Sequence, residues 1–439
     1  MAHQLKLEEL ALDEFRANPR NARTHTKHQI SQIAGSIEAF GFTNPILVDE
    51  TGEVIAGHGR LMAAQQLGFS SVPAIRVEYL STTKKRALML ADNKIALNAG
   101  WDMDILANEL AELTSEEVDL DIDLTGFEMG EIDVILETRA LSEGEESETA
   151  PIPDPSRPGV SKYGDVWLLG PHRVMCGDAM LIKDVDRLMQ GDLADVGFTD
   201  PPYNVPIKGH VSGKGQTQHR EFVQASGEMD VDSFTRFLAR ALTNAASSSR
   251  QGAVWFACMD WRHIGEMMSA GRQSFQEMLN LCVWTKTNGG MGSLYRSQHE
   301  LVFVFRNGET THRNNVQLGR FGRNRTNVWS YPGVNTFREG RMDELAAHPT
   351  AKPIAMIRDA LMDVSARGEI VMDPFLGGGA TLMAAETIGR FARGMELDPL
   401  YVDVAIRRWR AATGKEPVRQ VDGQLLRDIE TAVCEEVHQ

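Results

Sequence analysis

The sequence is poor in cysteine and has no long apolar run. Its four cysteines, Cys176, Cys258, Cys282 and Cys434, are widely spaced and form no Cys-x-x-Cys pair. This spacing argues against a disulfide framework and against a zinc site, and it is typical of proteins from a reducing compartment. No apolar segment approaches the roughly 20 residues that cross a bilayer, and the first residues lack the pattern of a secretory signal. We therefore expect a cytoplasmic protein with no membrane segment and no metal site.

Basic residues are also scarce relative to acidic ones. The 439 residues include 45 Lys and Arg against 61 Asp and Glu, which gives a formal charge of −16. Overall repulsion from phosphate groups weakens nucleic-acid binding, so a nucleic-acid-binding protein of this composition needs a local basic surface. The length allows two domains.

A stretch rich in Glu, Ser and Pro divides the chain. Residues 141–160 contain almost nothing to bury and predict a solvated linker. It would separate a first domain with a helical extension, residues 1–140, from a second domain, residues 161–415, which is followed by a tail, 416–439. A long surface loop within one domain is the alternative.

Strand-like and helix-like segments alternate after the linker. The strand-like runs are 165–169, 173–176, 194–198, 253–257, 281–284, 301–305, 369–372 and 391–395. Amphipathic helical stretches such as 232–247 and 354–366 lie between several of them. This alternation predicts an α/β fold with a largely parallel sheet that is covered on both faces.

One motif follows the apolar run 194–198. Asp200-Pro201-Pro202-Tyr203 cannot continue a central strand or enter a helix, because two consecutive prolines lack the N–H donors that either needs. The chain therefore leaves the sheet in a stiff, extended segment that places a carboxylate, a carbonyl and an aromatic ring together. Ligands of open α/β sheets bind at such strand ends.

A glycine-rich turn follows a later strand. Asp373-Pro374-Phe375-Leu376 leads into Gly377-Gly378-Gly379, and a helix is predicted over 380–388. Glycines let a backbone approach a ligand closely, and a helix start offers unpaired N–H groups. Glu396 ends the next strand about 20 residues later, where a carboxylate can accept hydrogen bonds from ribose hydroxyls. By itself the turn could also be an ordinary strand-to-helix connection.

These segments together give residues 162–412 a resemblance to amino-group DNA methyltransferases of the permuted β type, which have a Rossmann-like sheet. Asp200, Pro201, Pro202 and Tyr203 resemble the family's catalytic motif. The resemblance implies S-adenosylmethionine as cofactor and implies that the cofactor-binding residues are Asp178, Thr350, Lys352, Asp373, Phe375, Gly377, Gly379, Thr381 and Glu396. In particular, His348–Pro353 resembles the segment that closes over the methionine end of the cofactor. One departure is Gly378-Gly379-Ala380-Thr381, where Gly-Ser-Gly-Thr-Thr is commoner, so a serine contact is lost but not the backbone path.

The chemistry of the target amine is consistent with this resemblance. Asp200 and the carbonyl of Pro201 can accept hydrogen bonds from an exocyclic amine and orient its lone pair, which favours direct transfer. Tyr203 can stack on a base that has left the duplex. We expect adenine N6 as the target, because the family's cytosine members more often carry Ser in place of the Asp. Cytosine N4 is the alternative. Two further alternatives are methylation of RNA and methylation of a protein amide. The second is disfavoured because glutamine methylases of similar architecture carry Asn in place of Asp200.

Two polar stretches supply the local basic surface. Arg and Asn side chains read base edges, and Arg also binds phosphate. We expect DNA contacts from Arg313, Arg320, Arg323 and Arg325, and from Lys208 and Lys214 in the glycine-rich segment 207–220. A solvated basic loop is the alternative. The expected partner is double-stranded DNA. The resemblance makes a homodimer plausible, and the sequence does not identify a restriction partner.

The first domain resembles another family. Residues 8–80 are similar to the ParB-like domain, an α+β fold shared distantly with sulfiredoxin, through Asn18-Pro19-Arg20, Gly41–Val48 and Ile55–Arg60. Gly57, His58, Gly59 and Arg60 at a helix start could hold a phosphate group. Partition proteins usually have Gly-Glu-Arg-Arg there and sulfiredoxin has a catalytic cysteine, so neither activity carries over. A scaffold or DNA-docking role is an alternative for this domain. For the whole chain, the alternative is a ParB-like DNA-binding or nuclease protein with an accessory methyltransferase domain.

Overall fold

The computed structural model describes residues 5–114, 121–143, 159–205, 227–287, 289, 294–320, 323–332 and 352–437. The chain forms two compact units, residues 1–139 and 140–439. Most of the predicted linker, 144–158, lies outside the described residues.

The first unit contains a four-stranded sheet and five helices within its described residues. The sheet has the order β1-β4-β2-β3. Its strands are β1 (Leu7–Ala11), β2 (Ile46–Val48), β3 (Val54–Ala56) and β4 (Ser71–Arg76). The helices are α1 (Lys27–Phe40), α2 (His58–Leu67), α3 (Thr82–Leu97), α4 (Met103–Leu113) and α5 (Met129–Glu143, which extends into the second unit).

Local sequence explains the boundaries of α2. Gly57 caps the start of the helix with φ 100°, and Gly68 caps its end with φ 75°. Both values lie in the left-handed region, where glycine is favoured. Leu61 and Ala64 of α2 are buried against Ile46 and Val54 of the sheet.

The second unit is built on a ten-stranded sheet. The order is β11-β9-β10-β8-β7-β12-β13-β6-β5-β14. Its strands are β5 (Val166–Leu169), β6 (His172–Cys176), β7 (Ala194–Thr199), β8 (Ser249–Met259), β9 (Glu277–Thr285), β10 (His299–Arg306), β11 (Val328–Ser330), β12 (Ile370–Asp373), β13 (Phe391–Glu396) and β14 (Val418–Arg419). Its helices are α6 (Ile182–Met189), α7 (Val231–Ser247), α8 (Ile264–Ser274), α9 (Ile354–Val364), α10 (Ala380–Thr387), α11 (Pro399–Thr413) and α12 (Leu426–Val437).

The centre of this sheet is parallel. Strands β8, β7, β12, β13 and β6 are neighbours in that order, and each adjacent pair is parallel. Their carboxyl ends therefore lie along one edge. Strand β10 runs antiparallel to β8, so its first residues lie at the same edge.

Hydrophobic clusters cover both faces of the sheet, as the alternation of elements predicts for an α/β fold. Trp167, Phe198 and Trp409 belong to one cluster, and Phe234 and Trp255 to the other. Close packing also fixes a glycine in β7. A Cβ atom on Gly197 would lie 2.3 Å from the Trp255 ring, so the indole occupies the space of a side chain.

Residues on both sides of the predicted second domain, 161–415, pack against it. Val160 and Ser161, at the end of the predicted linker, donate backbone hydrogen bonds to Asp403 at 2.9 and 3.0 Å. The predicted tail contains β14, which pairs with β5, and α12, whose Leu426 is buried in the core. A two-residue strand and a single short helix at the end of a domain are difficult to tell from a tail, because their local pattern does not show what they pack against. None of the helices in the described part of the chain is long and apolar enough to cross a membrane.

Candidate active site

The Asp-Pro-Pro-Tyr segment lies at the carboxyl edge of the sheet. Strand β7 ends at Thr199, and residues 201–203 continue in non-regular backbone. Asn204 then turns the chain with φ 52°. Its side chain accepts hydrogen bonds from the backbone N–H groups of Gly227 and Met229 and so joins the two ends of segment 206–226, which lies outside the described residues.

Charged side chains converge on Asp200. Lys352 Nζ lies 2.6 Å from Asp200 Oδ2 and 3.1 Å from Glu300 Oε2. The Tyr203 hydroxyl lies 2.7 Å from Asp200 Oδ1 and 3.1 Å from Glu300 Oε2. Lys286 forms an ion pair with Glu300. These five residues, which we call the Asp200 charge cluster, contain two carboxylates and two ammonium groups.

Burial and neighbouring charges set the ionisation of this cluster. Burial raises the pKa of Asp200 and outweighs the opposing effect of Lys352. Burial also acts to raise the pKa of Glu300, but Lys352 and Lys286 outweigh it and lower that pKa to about 2. For Lys352 burial opposes the charge, yet Asp200 and Glu300 raise the pKa of the ammonium group. Lys352 is therefore charged at neutral pH, although its side chain is only 2% exposed.

The glycine-rich loop follows β12, the neighbour of β7. Asp373 Oδ1 accepts a hydrogen bond from the backbone N–H of Phe375, and Oδ2 accepts one from the Thr381 hydroxyl at 2.6 Å. Asp373 and Thr381 thus brace the loop from inside. Burial raises the pKa of Asp373 to about 7. Gly379 caps helix α10 with φ 84°, and the Phe375 ring packs against Phe237.

Glu396 lies at the end of the next strand, β13. Its Oε2 accepts a hydrogen bond from the Gly377 N–H, and its Oε1 accepts one from the Asp398 N–H. Burial raises the pKa of Glu396 to about 7. Each carboxylate oxygen can accept a second bond. Asp178 follows β6, the neighbour of β13, so it lies along the same edge.

The loop has room for an adenosyl ligand. A Cβ atom built on Gly377 meets nothing within 4 Å, so the backbone there faces open space. The loop, Glu396 and Asp178 follow three adjacent strands, β12, β13 and β6. N–H groups at a helix start, a carboxylate for ribose hydroxyls and a further polar side chain suit the donors and acceptors of S-adenosylmethionine.

The structure places Lys352, which was predicted to bind the cofactor, in contact with the Asp-Pro-Pro-Tyr segment; its cofactor role stays a prediction. Its ammonium group lies against Asp200 and 5.2 Å from the centre of the Tyr203 ring. Thr350, also predicted to bind the cofactor, lies outside the described residues with the rest of 333–351.

Sequence reasoning missed Glu300 and Lys286. Strand β10 brings Glu300 to this edge because it pairs antiparallel with β8, and Lys286 follows β9, whose Trp284 pairs with Glu300. The available signal was an acidic residue at the start of an otherwise apolar strand, since Glu300 precedes Leu301–Phe305. That signal does not show the direction of the strand, which decides at which edge of the sheet Glu300 lies.

Two of the arginines predicted to bind DNA are used inside the protein. Arg323 is buried and donates to Asp363 at 2.9 Å, while Arg325 bonds to both Asp363 and Asp359. These pairs attach the 323–331 segment to α9 and leave the two guanidinium groups poorly placed for DNA.

The other predicted DNA contacts lie in different surroundings. Arg320 is exposed. Arg313 is also exposed and pairs with Glu369. Lys208 and Lys214 lie outside the described residues.

In the first unit, the Gly57–Arg60 turn borders a cleft of about 280 Å³ whose lining includes Arg23, His58, Arg60 and Asp92. Gly59 is buried against His25 and Ile33. Arg60 donates to the carbonyl of Asn44 at 2.8 Å. Burial and His25 lower the pKa of His58, and its Nε2 has no hydrogen-bond partner among the described residues.

Comparison with known families accounts for both units. A family model described as DNA methylase, of the N6/N4 type, matches residues 194–407. A model of the ParB N-terminal domain matches residues 1–94, and one of the ParB-methyltransferase HTH domain matches residues 104–163. Residues 194–407 thus form an N6/N4 DNA methylase domain, and the chain carries a ParB-like domain before it. The predicted family resemblance is confirmed.

Individual relatives resemble separate parts of this DNA methylase. Over 86 residues the chain is 46% identical to the ParB-like nuclease domain-containing protein YnaK of Escherichia coli (strain K12), which is 20% of this chain and 99% of YnaK. Over 96 residues it is 36% identical to the type II methyltransferase M.ScaI of Streptomyces caespitosus, which is 22% of this chain and about a third (32%) of M.ScaI. The crystal structure of the M1.HpyAVI–SAM complex aligns with 54% of this chain and 97% of its own, at 18% identity and a TM-score of 0.39.

Proposed function

We propose that this DNA methylase transfers a methyl group from S-adenosylmethionine to N6 of adenine in double-stranded DNA. The observation that carries the proposal is the position of Asp200 relative to the glycine-rich loop. Strands β7 and β12 are parallel neighbours, with Gly197 paired to Met372. The amine acceptor and the cofactor loop therefore begin at adjacent strand ends, where a base and a methyl donor can meet.

Asp200 orients the target amine. Each of its oxygens already accepts one hydrogen bond, and a carboxylate oxygen has capacity for a second. Together with the Pro201 carbonyl it can hold both hydrogens of the amine, so that the nitrogen lone pair points towards the cofactor loop. The proton that the nitrogen loses can pass to the Asp200 carboxylate.

Tyr203 supplies the surface for a base outside the duplex. Its ring is partly buried and packs against both hydrophobic clusters of the sheet. Burial and Asp200 raise the pKa of Tyr203 far above its usual value, so the phenol is neutral. Stacking of the base on the aromatic ring offsets part of the free energy that is needed to extract the base from the duplex.

The cofactor loop would hold S-adenosylmethionine, which would supply an electrophilic methyl group. Glu396 would accept hydrogen bonds from its ribose, the backbone at Gly377 and the start of α10 would offer N–H groups to it, and Phe375 would supply an apolar contact. Asp373 and Thr381 keep the loop in this shape.

Adenine is favoured over cytosine because residue 200 is an aspartate, whereas the cytosine-N4 members of this family more often have serine there. The family model covers both amines. Direct identification of the product is therefore the decisive experiment.

Nucleoside mass spectrometry of DNA treated with the protein and S-adenosylmethionine tests the proposal. We expect N6-methyladenine with the wild-type protein and none above background with Asp200→Ala. Asp422→Ala, which removes a surface carboxylate beside β14 at the far edge of the sheet, should behave like the wild type. N4-methylcytosine as the product would establish the cytosine alternative, and full activity of Asp200→Ala would remove the proposed mechanism.

A further inference from the structure

The charges around Asp200 are balanced within a largely buried space. Lys352 is the central group, because its ammonium lies within 3.1 Å of a carboxylate oxygen on each side. The Glu300 side chain is 14% exposed and holds Lys286 on its other side. Charges act on one another more strongly at such sites than in water. The basicity of Asp200 therefore depends on its neighbours as well as on its own position.

We propose that Lys352 and Glu300 are a pair of positioning residues that set in opposite directions how strongly Asp200 accepts the substrate amine. This inference rests on the proposed function. Lys352 favours the ionised form of Asp200 against the effect of burial and holds one of its oxygens at 2.6 Å. Glu300 balances the charge of Lys352, so that Asp200 is not reduced to a weak acceptor by an unopposed cation.

The contact geometry favours a positioning role over a chemical one for Lys352. A lysine that acts as a base must lose its proton, but two carboxylates hold this ammonium group in its charged form. Its side chain is 2% exposed, so it lies beneath Asp200 rather than at the surface that receives a base.

Glu300 is equally unsuited to receive the proton of the amine. It is bonded by two ammonium groups and by the Tyr203 hydroxyl. These bonds hold its pKa far below that of Asp200, whose pKa is raised. Asp200 is thus the one acceptor of the pair, and Glu300 acts on it through Lys352.

Other titratable groups among the described residues face the same space but do not replace these two. Tyr203 is neutral at working pH because burial and Asp200 raise its pKa. Cys258 is also neutral, since burial raises the pKa of its thiol far more than Lys352 lowers it. Asp373 adds a more distant negative charge that acts on Asp200 in the same direction as Glu300.

Removal of Lys352 and removal of Glu300 should shift the pKa of Asp200 in opposite directions. Loss of Lys352 removes the influence that lowers the pKa of Asp200, so that pKa rises. Loss of Glu300 removes an influence that raises it, so that pKa falls. Activity requires ionised Asp200 and declines below its pKa, and the acidic limb of the pH profile reports this group.

The test measures kcat/KM against pH for the full chain. We expect Lys352→Gln to move the acidic limb to higher pH and Glu300→Gln to move it to lower pH, each by about one pH unit. Both variants should lower kcat by about 100-fold, the lower end of the contribution of acid–base groups, because they act on Asp200 indirectly. Lys352→Arg keeps the charge and should leave the limb near its wild-type position.

A second readout does not depend on methyl transfer. The fluorescence of 2-aminopurine placed next to the target adenine of a duplex rises when that adenine leaves the stack, and so it reports capture of the adenine outside the helix. It should titrate with the same displaced pKa in each variant. Glu277→Gln and Lys415→Gln, which remove an exposed Glu from the start of β9 and an exposed Lys beyond α11, are the matched controls and should keep the wild-type profile.

Failure of the inference is distinct from failure of the proposed function. If wild-type protein methylates DNA but the two variants shift the limb in the same direction, or not at all, the opposing pair is wrong while the methylase assignment stands. If wild-type protein modifies no DNA, the proposed function itself fails. Should Glu300→Gln not fold in a thermal melt, Lys352→Gln and Lys352→Arg decide, because only the former should shift the limb.

Discussion

At the scale of single residues, Gly379 is restricted by both its backbone and its surroundings. Its φ is 84°, and a Cβ atom would lie 3.0 Å from Cβ and 3.2 Å from Cα of Ala405. Gly379→Ala should therefore lower the stability of the methylase unit by about 1–3 kcal/mol and weaken cofactor binding at least tenfold by distorting the loop.

Differential scanning calorimetry and a titration with S-adenosylmethionine measure these effects. Gly265→Ala is the control, because its Cβ would meet nothing within 4 Å and its backbone is helical. A Gly379→Ala protein with wild-type affinity would show that the loop does not shape the cofactor site.

Asp373 makes the stability of the cofactor loop depend on pH. Its pKa is raised to about 7 by burial, above the value of about 3.9 for an unfolded chain. The folded state thus prefers the protonated acid, and this contribution is fully present at low pH and is lost as pH rises through 7.

Asp373→Asn removes that dependence. Between pH 6 and pH 8.5, we expect the wild type to lose about 1–3 kcal/mol relative to the variant, which calorimetric melting temperatures of the ligand-free proteins would record. A constant difference between the two melting temperatures across this range would show that Asp373 is ionised throughout.

At the scale of elements, the arginines in the segment that precedes β11 differ in their surroundings. Arg323 and Arg325 bind Asp359 and Asp363 of α9, whereas Arg320 is exposed. Asp363→Asn should lower the stability of the methylase unit by about 2–4 kcal/mol, because the buried Arg323 and the partly buried Arg325 lose a charged partner. Arg320→Ala should leave stability unchanged.

The same two substitutions should affect DNA affinity in the opposite order, with a larger effect for Arg320→Ala than for Asp363→Asn. Arg320→Ala is expected to weaken binding and to reduce by about one the slope of log affinity against log salt concentration. Fluorescence anisotropy with a labelled duplex at several salt concentrations measures this slope. An unchanged slope would remove Arg320 from the DNA interface.

The Gly57–Arg60 turn supports a separate prediction for the first unit. Its cleft contains two arginines and a buried His58 nitrogen with no hydrogen-bond partner among the described residues, which favours an anionic ligand such as a nucleotide. Calorimetric titration of the full chain with nucleoside triphosphates should show binding that Arg60→Ala abolishes and that Arg86→Ala, an exposed change in α3, preserves. Silence with every nucleotide would leave the turn a purely structural helix start.

At the scale of the whole molecule, the resemblance to a ParB-like nuclease domain leaves DNA cleavage to be tested. Supercoiled plasmid incubated with the full chain and Mg²⁺, with and without S-adenosylmethionine, separates the two activities. We expect methylation when the cofactor is present and intact plasmid in both cases. Cofactor-independent nicking that is lost in Arg60→Ala would assign a second activity to the first unit.

Local sequence was sufficient to predict the strand-and-helix alternation and to place both segments of the candidate site at strand ends, because each depends on a short stretch of chain. The segments that contain Asp200 and Gly377 can be recognised by their prolines and glycines, because the effects of these residues on the backbone are local. Glu300 and Lys352 could not be placed in this way. Their positions depend on an antiparallel strand insertion and on a contact across 152 residues of chain, which no periodicity encodes. Arg323 and Arg325 illustrate the same limit, since a basic run does not reveal buried acidic partners.

The position of β12 between β7 and β13 has a consequence for biosynthesis. During translation β7 is complete long before residues 370–396 leave the ribosome, so one edge of β7 has no partner until the last sixth of the chain arrives. Unpaired strand edges promote aggregation. Chains that stall before residue 370 are therefore expected to be insoluble, and refolding should restore helical circular dichroism well before it restores the environment of Asp200.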